Sequence, residues 1–136
     1  MLVYQCMSDS VFTKIIKRES PAEIIWENEN IIIFMDAFPQ VDGQVLVVPK
    51  KQVDHFFDLD DETYAELFQK IKWFAPILKK AFKTSRVVLV IEGFELPHVH
   101  VKLYPANVGN QHFPEHNAVL KSRISENANI IRNALK

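Results

Sequence analysis

In the segment LPHVHVKLYP, residues 96–105, two histidines, a lysine and a tyrosine stand at alternate positions. Side chains two residues apart on a β-strand share a face. A strand here therefore puts His98, His100, Lys102 and Tyr104 on one side, and Pro97, Val99, Val101 and Leu103 on the other. Three readings suit such a row. It is a solvated polar face if it points to water. It is a zinc site if further ligands join His98 and His100, and Lys102 is a poor one, since a protonated amine has no free lone pair. In the third, a neutral imidazole attacks phosphorus, one ring nitrogen held as a donor and the other bare, while a cation stabilises the phosphoryl charge. The row alone leaves all three open.

The elements that must position these residues follow from periodicity. SDSVFTKIIKRE reads as a short amphipathic helix with Ser8, Asp9 or Ser10 as N-cap, ended by Ser20–Pro21. EIIWE and IIIFMD read as strands joined by a turn at Asn28–Asn30, and QVLVVPKK as a third strand after a Pro39–Gly43 loop. Residues Asp58 to Asp61 offer caps to a long helix with Tyr64, Leu67, Phe68, Ile71, Ala75, Leu78 and Phe82 on its apolar face. Pro76 should kink that helix or stand near a break. RVVLVIE is apolar enough for a central strand, and LPHVHVKLYP is the fifth strand. After the loop ANVGNQHFPEHN, whose His112 and His116 read as solvated, a terminal helix is expected over 118–135. This order predicts an α+β domain with an antiparallel sheet of about five strands, one long helix and a C-terminal helix.

The bulk numbers narrow the function. A length of 136 residues suits one domain, and a net charge of −1 gives no electrostatic case for nucleic acid or a membrane as partner. A single cysteine, Cys6, excludes an internal disulfide framework and any multi-cysteine zinc site. The start MLVYQCMSDS has neither a basic n-region nor a long apolar run, so no secretory signal is read, and Met7 is an alternative start. A cytoplasmic protein is expected.

HVHVKLY resembles the signature of the histidine triad family, His-φ-His-φ-His-φ-φ with φ apolar, with Lys102 in place of the third histidine. Upstream, VFTKIIKRESPAEIIWENENIIIFMDAFPQVDGQVLVVPKKQ is similar to the family's amino-terminal half. The shared features are a Phe-x-Lys-Ile-Ile helix, a Glu-x-Pro-Ala turn, a strand ending in Phe-x-Asp, and a Pro and Gly loop leading into Leu-Val-Ile-Pro-Lys-Lys-His. The resemblance runs from Val11 to Pro105, about 95 of the 136 residues. It implies a nucleotide-binding domain over 11–105, after an extension at 1–10 and before a tail at 106–136 that belongs to the same domain.

The resemblance also implies roles. His100 matches the nucleophile that attacks the α-phosphate of a nucleoside monophosphate conjugate or dinucleoside polyphosphate, with a backbone carbonyl of its own strand holding Nδ1–H. His98 matches the supporting histidine. Asp36 matches the acceptor for ribose hydroxyls, and Val11, Phe12, Ile15, Phe34 and Leu46 the apolar pocket for a purine base. Gln44 and Glu95 fall near the phosphate, and Lys102 becomes the cation that offsets Glu95 and stabilises the leaving group. Such a lysine favours leaving groups that depart as stable anions over amines that need a proton. A nucleotide substrate and a homodimer are implied, with no cofactor.

Departures from the pattern keep other functions in play. Gln44 and Gln52 stand where many members carry histidine, and Ser10 and Thr13 where zinc-containing members carry Cys-x-x-Cys, so no metal is expected. The alternatives are a catalytically weak or inactive nucleotide sensor, and a metal-binding protein using His98 and His100.

Overall fold

The computed structural model describes residues 8–107, 109 and 113–136. Cys6, Met7 and His112 lie outside these. Five antiparallel strands form one sheet in the order β1-β2-β3-β5-β4. They are β1 (Ile24–Glu27), β2 (Ile31–Met35), β3 (Val45–Pro49), β4 (Arg86–Val90) and β5 (Val101–Ala106). Helix α1 (Val11–Ile16) precedes the sheet, α2 (Asp61–Phe82) connects β3 to β4, and α3 (Ala118–Ser122) and α4 (Ile124–Ala134) close the chain. The fold is α+β, as the element order predicts. Among the described residues no helix is long and apolar enough to cross a membrane.

Strand alternation divides two apolar cores. Ile31, Ile33 and Met35 on β2, with Val45 and Val47 on β3, meet Leu67, Ile71, Phe74 and Leu78 of α2 and Ala128 and Ile131 of α4. The alternate residues Ile32, Phe34, Leu46 and Val48 face the other way, under Phe12 and Ile15 of α1. Because both faces are covered, β2 and β3 are buried at every position. The second core is the floor of the site.

Several elements differ from the sequence reading. Helix α1 stops at Ile16, before Ser20–Pro21, because Arg18 turns left-handed (φ 62°) and the Glu19 and Ser20 amides fold back to the Lys14 carbonyl. Helix α2 runs through Pro76 without interruption. Pro76 and Lys72 are both exposed, so water can take the carbonyl that Pro76 leaves without a donor. The strand expected at the centre, β4, is an edge: it pairs with β5 alone, and Leu89 is exposed. Two helices replace the single terminal one, broken at Arg123, whose guanidinium makes a two-point contact with Asp42 at 2.9 Å. A 3-10 turn at Phe56–Asp58 has no counterpart in the sequence reading.

Candidate functional site

Cross-strand register assembles the site's floor. Phe34 on β2 stands opposite Leu46 on β3, and Leu46 opposite Lys102 on β5. Ser10 caps α1 by accepting the Thr13 amide at 3.0 Å, which sets the helix angle that lays Phe12 and Ile15 over that row. Between them opens a cavity of about 620 Å³, a size that suits a small organic ligand. Val11, Phe12, Ile15, Phe34 and Leu46 supply its apolar wall. Asp36, Gln44, Glu95, His100 and Lys102 also line it. Of the residues expected at the site only His98 lies behind the wall, fully buried.

The segment carrying the histidines is not yet strand, since β5 begins at Val101. A tight turn from the His98 amide to the Leu96 carbonyl (2.8 Å) bends it, and the Val99 amide then bonds the Val53 carbonyl (2.8 Å). Both imidazoles nevertheless meet the Phe12 ring edge-on, at centroid distances of 5.8 Å for His98 and 4.9 Å for His100. The solvated-face reading fails here: His98, His100 and Tyr104 are all buried.

Carbonyl partners fix the tautomers. His100 Nδ1 lies 2.8 Å from the His98 carbonyl oxygen, which can only accept, so Nδ1 carries a proton and the neutral ring leaves Nε2 bare. His98 Nε2 lies 2.7 Å from the Pro49 carbonyl and is likewise the protonated nitrogen. Its Nδ1 then accepts the Ser10 hydroxyl at 2.7 Å. Burial pushes the His98 pKa below its ordinary value, against the opposing effect of the bond to Pro49.

The Asp36 carboxylate sits at the end of β2, with Oδ1 accepting the Phe38 amide (2.8 Å) and Oδ2 the Gln44 side-chain amide (2.7 Å). Gln44 Oε1 in turn accepts the Gln40 amide at 2.7 Å. With both amide atoms engaged, Gln44 braces Asp36 from the wall of the cavity. Lys102 pairs with Glu92 at 3.6 Å, so its expected partner Glu95 is not the carboxylate it offsets. Tyr104 stacks on Phe113 (4.4 Å) and donates its hydroxyl to Gln40 Oε1 at 3.1 Å. Burial, with the charges of Asp36 and Glu92, pushes its pKa up to about 12 and keeps the phenol neutral.

Some lining residues carry no local signal in the sequence. Lys121 of α3 and Ile124 of α4 reach the cavity only through the tertiary fold, as does Glu23 before β1. Phe38 and Phe94 also line it and are exposed. His116, expected to be solvated, is half-buried, with Nδ1–H donating to the Pro39 carbonyl at 2.9 Å.

Ser10, Thr13, Gln52 and His98 meet in one cluster, and the first three hold the positions where the resemblance implied zinc-binding residues in other members. Two hydroxyls and an amide are weak zinc ligands, and both nitrogens of His98 are hydrogen-bonded, so this donor set does not fit zinc. Among the described residues no group of three His, Cys, Asp or Glu could hold a metal.

Comparison with known proteins identifies the relatives of this chain. The HIT domain model matches residues 17–107. An uncharacterized HIT-like protein of Methanocaldococcus jannaschii is 33% identical over 104 residues, covering 74% of this chain and 81% of that protein. A HIT-like protein of Bartonella henselae superposes with a TM-score of 0.80 at 28% identity, covering 93% of this chain and 96% of the other. A hypothetical histidine triad nucleotide-binding protein of Sulfolobus tokodaii gives a TM-score of 0.77 at 26% identity, covering 92% and 91%. With the family model spanning well over half its length, this chain belongs to the HIT family.

Proposed function

We propose that the protein is a nucleotide phosphohydrolase or nucleotidyl transferase acting at the α-phosphate of a nucleoside monophosphate conjugate or a dinucleoside polyphosphate. The observation that carries this reading is His100: its Nδ1–H is held by the His98 carbonyl at 2.8 Å, and its ring lines the 620 Å³ cavity. A bare Nε2 is the form of imidazole that attacks phosphorus. Attack forms an N–P bond and breaks the bond from phosphorus to the leaving group, which keeps the electron pair. Water then cleaves the N–P bond, or an acceptor takes the nucleotidyl group. Lys102 stabilises the negative charge that develops on phosphoryl and leaving-group oxygens. Phe12, Phe34, Ile15, Val11 and Leu46 hold a purine ring, and Asp36, with lone pairs left on both oxygens, accepts the ribose hydroxyls. Among the described residues β4 has an unpaired edge, which, with Leu89 exposed, supports a homodimer built by pairing that edge with a second copy.

A second reading is a nucleotide sensor with little or no turnover. It is favoured by Lys102, which replaces the third histidine of the signature and is already paired with Glu92. One experiment separates the readings: incubation with an adenosine phosphoramidate and a diadenosine polyphosphate, with and without chelator, beside His100→Ala. The enzyme reading expects turnover that is indifferent to chelator and lost in the variant, while nucleotide binding remains. Binding without turnover in the native protein supports the sensor, and turnover that survives His100→Ala overturns the nucleophile. Chelator-sensitive turnover would revive the metal reading.

A further inference from the structure

We propose that Ser10, Thr13 and Gln52 are positioning residues that lock His98 in one tautomer and thereby hold the carbonyl to which His100 is bonded. The proposal rests on the reading of His100 as nucleophile and concerns what aims it.

Gln52 is oriented without ambiguity. The Ser10 amide (2.9 Å) and the Thr13 hydroxyl (2.6 Å) converge on one atom of its side chain, which must be the oxygen because the Ser10 N–H can only donate. Its nitrogen then donates to the Ser8 carbonyl at 3.0 Å. With the Ser10 amide fixed, the Ser10 hydroxyl oxygen accepts the Thr13 amide (3.0 Å), and of the two acceptors near its proton His98 Nδ1 at 2.7 Å is closer than Thr13 Oγ1 at 3.3 Å. A bare Nδ1 requires the His98 proton on Nε2, where the Pro49 carbonyl takes it at 2.7 Å. The imidazole is thus pinned at both ends, to the N-terminus of α1 and the end of β3. Ser10 and His98 are buried, so bulk water cannot substitute for either bond.

The backbone beside this ring is fixed as well. The His98 amide bonds Leu96 and the Val99 amide bonds Val53, each at 2.8 Å, which leaves the His98 carbonyl aimed at His100 Nδ1. Side chain and main chain of one residue therefore set where the nucleophile's proton sits. The α1 N-terminus is thus tied to the His98–His100 segment by neutral hydrogen bonds.

The test reads the tautomers directly. Uniformly 15N-histidine-labelled protein is examined by long-range 1H–15N correlation, for the native chain, Ser10→Ala, Gln52→Ala and the conservative Ser10→Thr. The native spectrum should show His98 protonated on Nε2 and His100 on Nδ1. In Ser10→Ala, His100 should become a mixture of tautomers. Its kcat should fall about tenfold or more, in keeping with the cost of a misplaced catalytic group, while KM changes less than twofold. Ser10→Thr should recover both readouts. Gln52→Ala keeps the hydroxyl and should move both in the same direction, and it serves if Ser10→Ala fails to fold. A native His98 protonated on Nδ1 overturns the lock. So does a folded Ser10→Ala with unchanged tautomers and unchanged kcat. The expected tautomers in a native protein with no turnover overturn the nucleophile reading instead and leave the lock supported.

Discussion

The Lys102 ammonium faces the Glu92 carboxylate at 3.6 Å on the wall of the cavity that His100 also lines. Both side chains are partly exposed, and ion pairs of that kind contribute a fraction of a kcal/mol to about 1 kcal/mol. The anionic α-phosphate of a bound substrate competes with Glu92 for that lysine.

That exchange sets a substrate preference. Lys102→Ala should lower kcat/KM on a diadenosine polyphosphate by on the order of 10²-fold, the usual loss for one transition-state charge partner. The effect on a phosphoramidate should be smaller, because an amine leaving group needs a proton that lysine supplies poorly. Lys102→His should shift the ratio toward the phosphoramidate. Faster phosphoramidate cleavage by the native protein, unchanged in Lys102→Ala, would sink the preference.

Asp36→Asn tests the sugar contact. The substitution replaces an acceptor with a donor at one of the two oxygens that now bind the Phe38 amide and Gln44. KM for a ribonucleotide substrate should rise about tenfold, the worth of one charge-assisted hydrogen bond. Discrimination against the 2′-deoxy analogue should largely vanish, as steady-state kinetics on the two sugars will show.

Gly43→Ala should destabilise the fold by roughly 2 kcal/mol or more, since L-residues pay for a left-handed backbone and dense interiors resist insertion. Gly43 has φ +83°, and a Cβ there would meet the Phe82 ring of α2 at 2.5 Å. Thermal melting measures the loss. Phe82→Leu should recover only the steric part in the double variant, leaving the backbone cost in place.

Stability should depend on pH through His98. Burial lowers its pKa in the folded chain below the ordinary 6.5, so the unfolded chain binds the proton more readily. Stability is therefore fully present above about 6.5 and falls as pH drops from there through the folded value. Glu27 and Asp42, held below their ordinary values by Arg18 and Arg123, lose their contributions only under more acid conditions. Melting temperatures between pH 8 and 5 should show the slope, and His98→Gln should flatten it. An equal slope in that variant would assign the effect elsewhere.

Much of the site could be read from the chain because strand periodicity and short-range caps are local. Phe34, Leu46 and Lys102 fall on one face by alternation, and Ser10 sits where an N-cap is needed. What escaped was set by distant partners. Gln44 could be placed at the site but not matched with its partner, because the carboxylate that holds it lies across the Pro39–Gly43 loop. β4 looked central because apolar composition marks burial without naming what covers it. Arg123 breaks the last helix for the sake of Asp42, 81 positions earlier in the chain. His98 could be read as a support for the site but not with the partners that hold it, which only the packing of α1 against β3 reveals.

The contact that orients His100 comes from the main chain, and that separates two kinds of vulnerability. Every amino acid offers a carbonyl at position 98, so no point substitution can delete the acceptor; it can only be moved. Variation at 98 should therefore produce graded loss through misalignment, whereas variation at 100 should be all or none. A library randomised at these two positions and sorted by activity would separate into those two distributions.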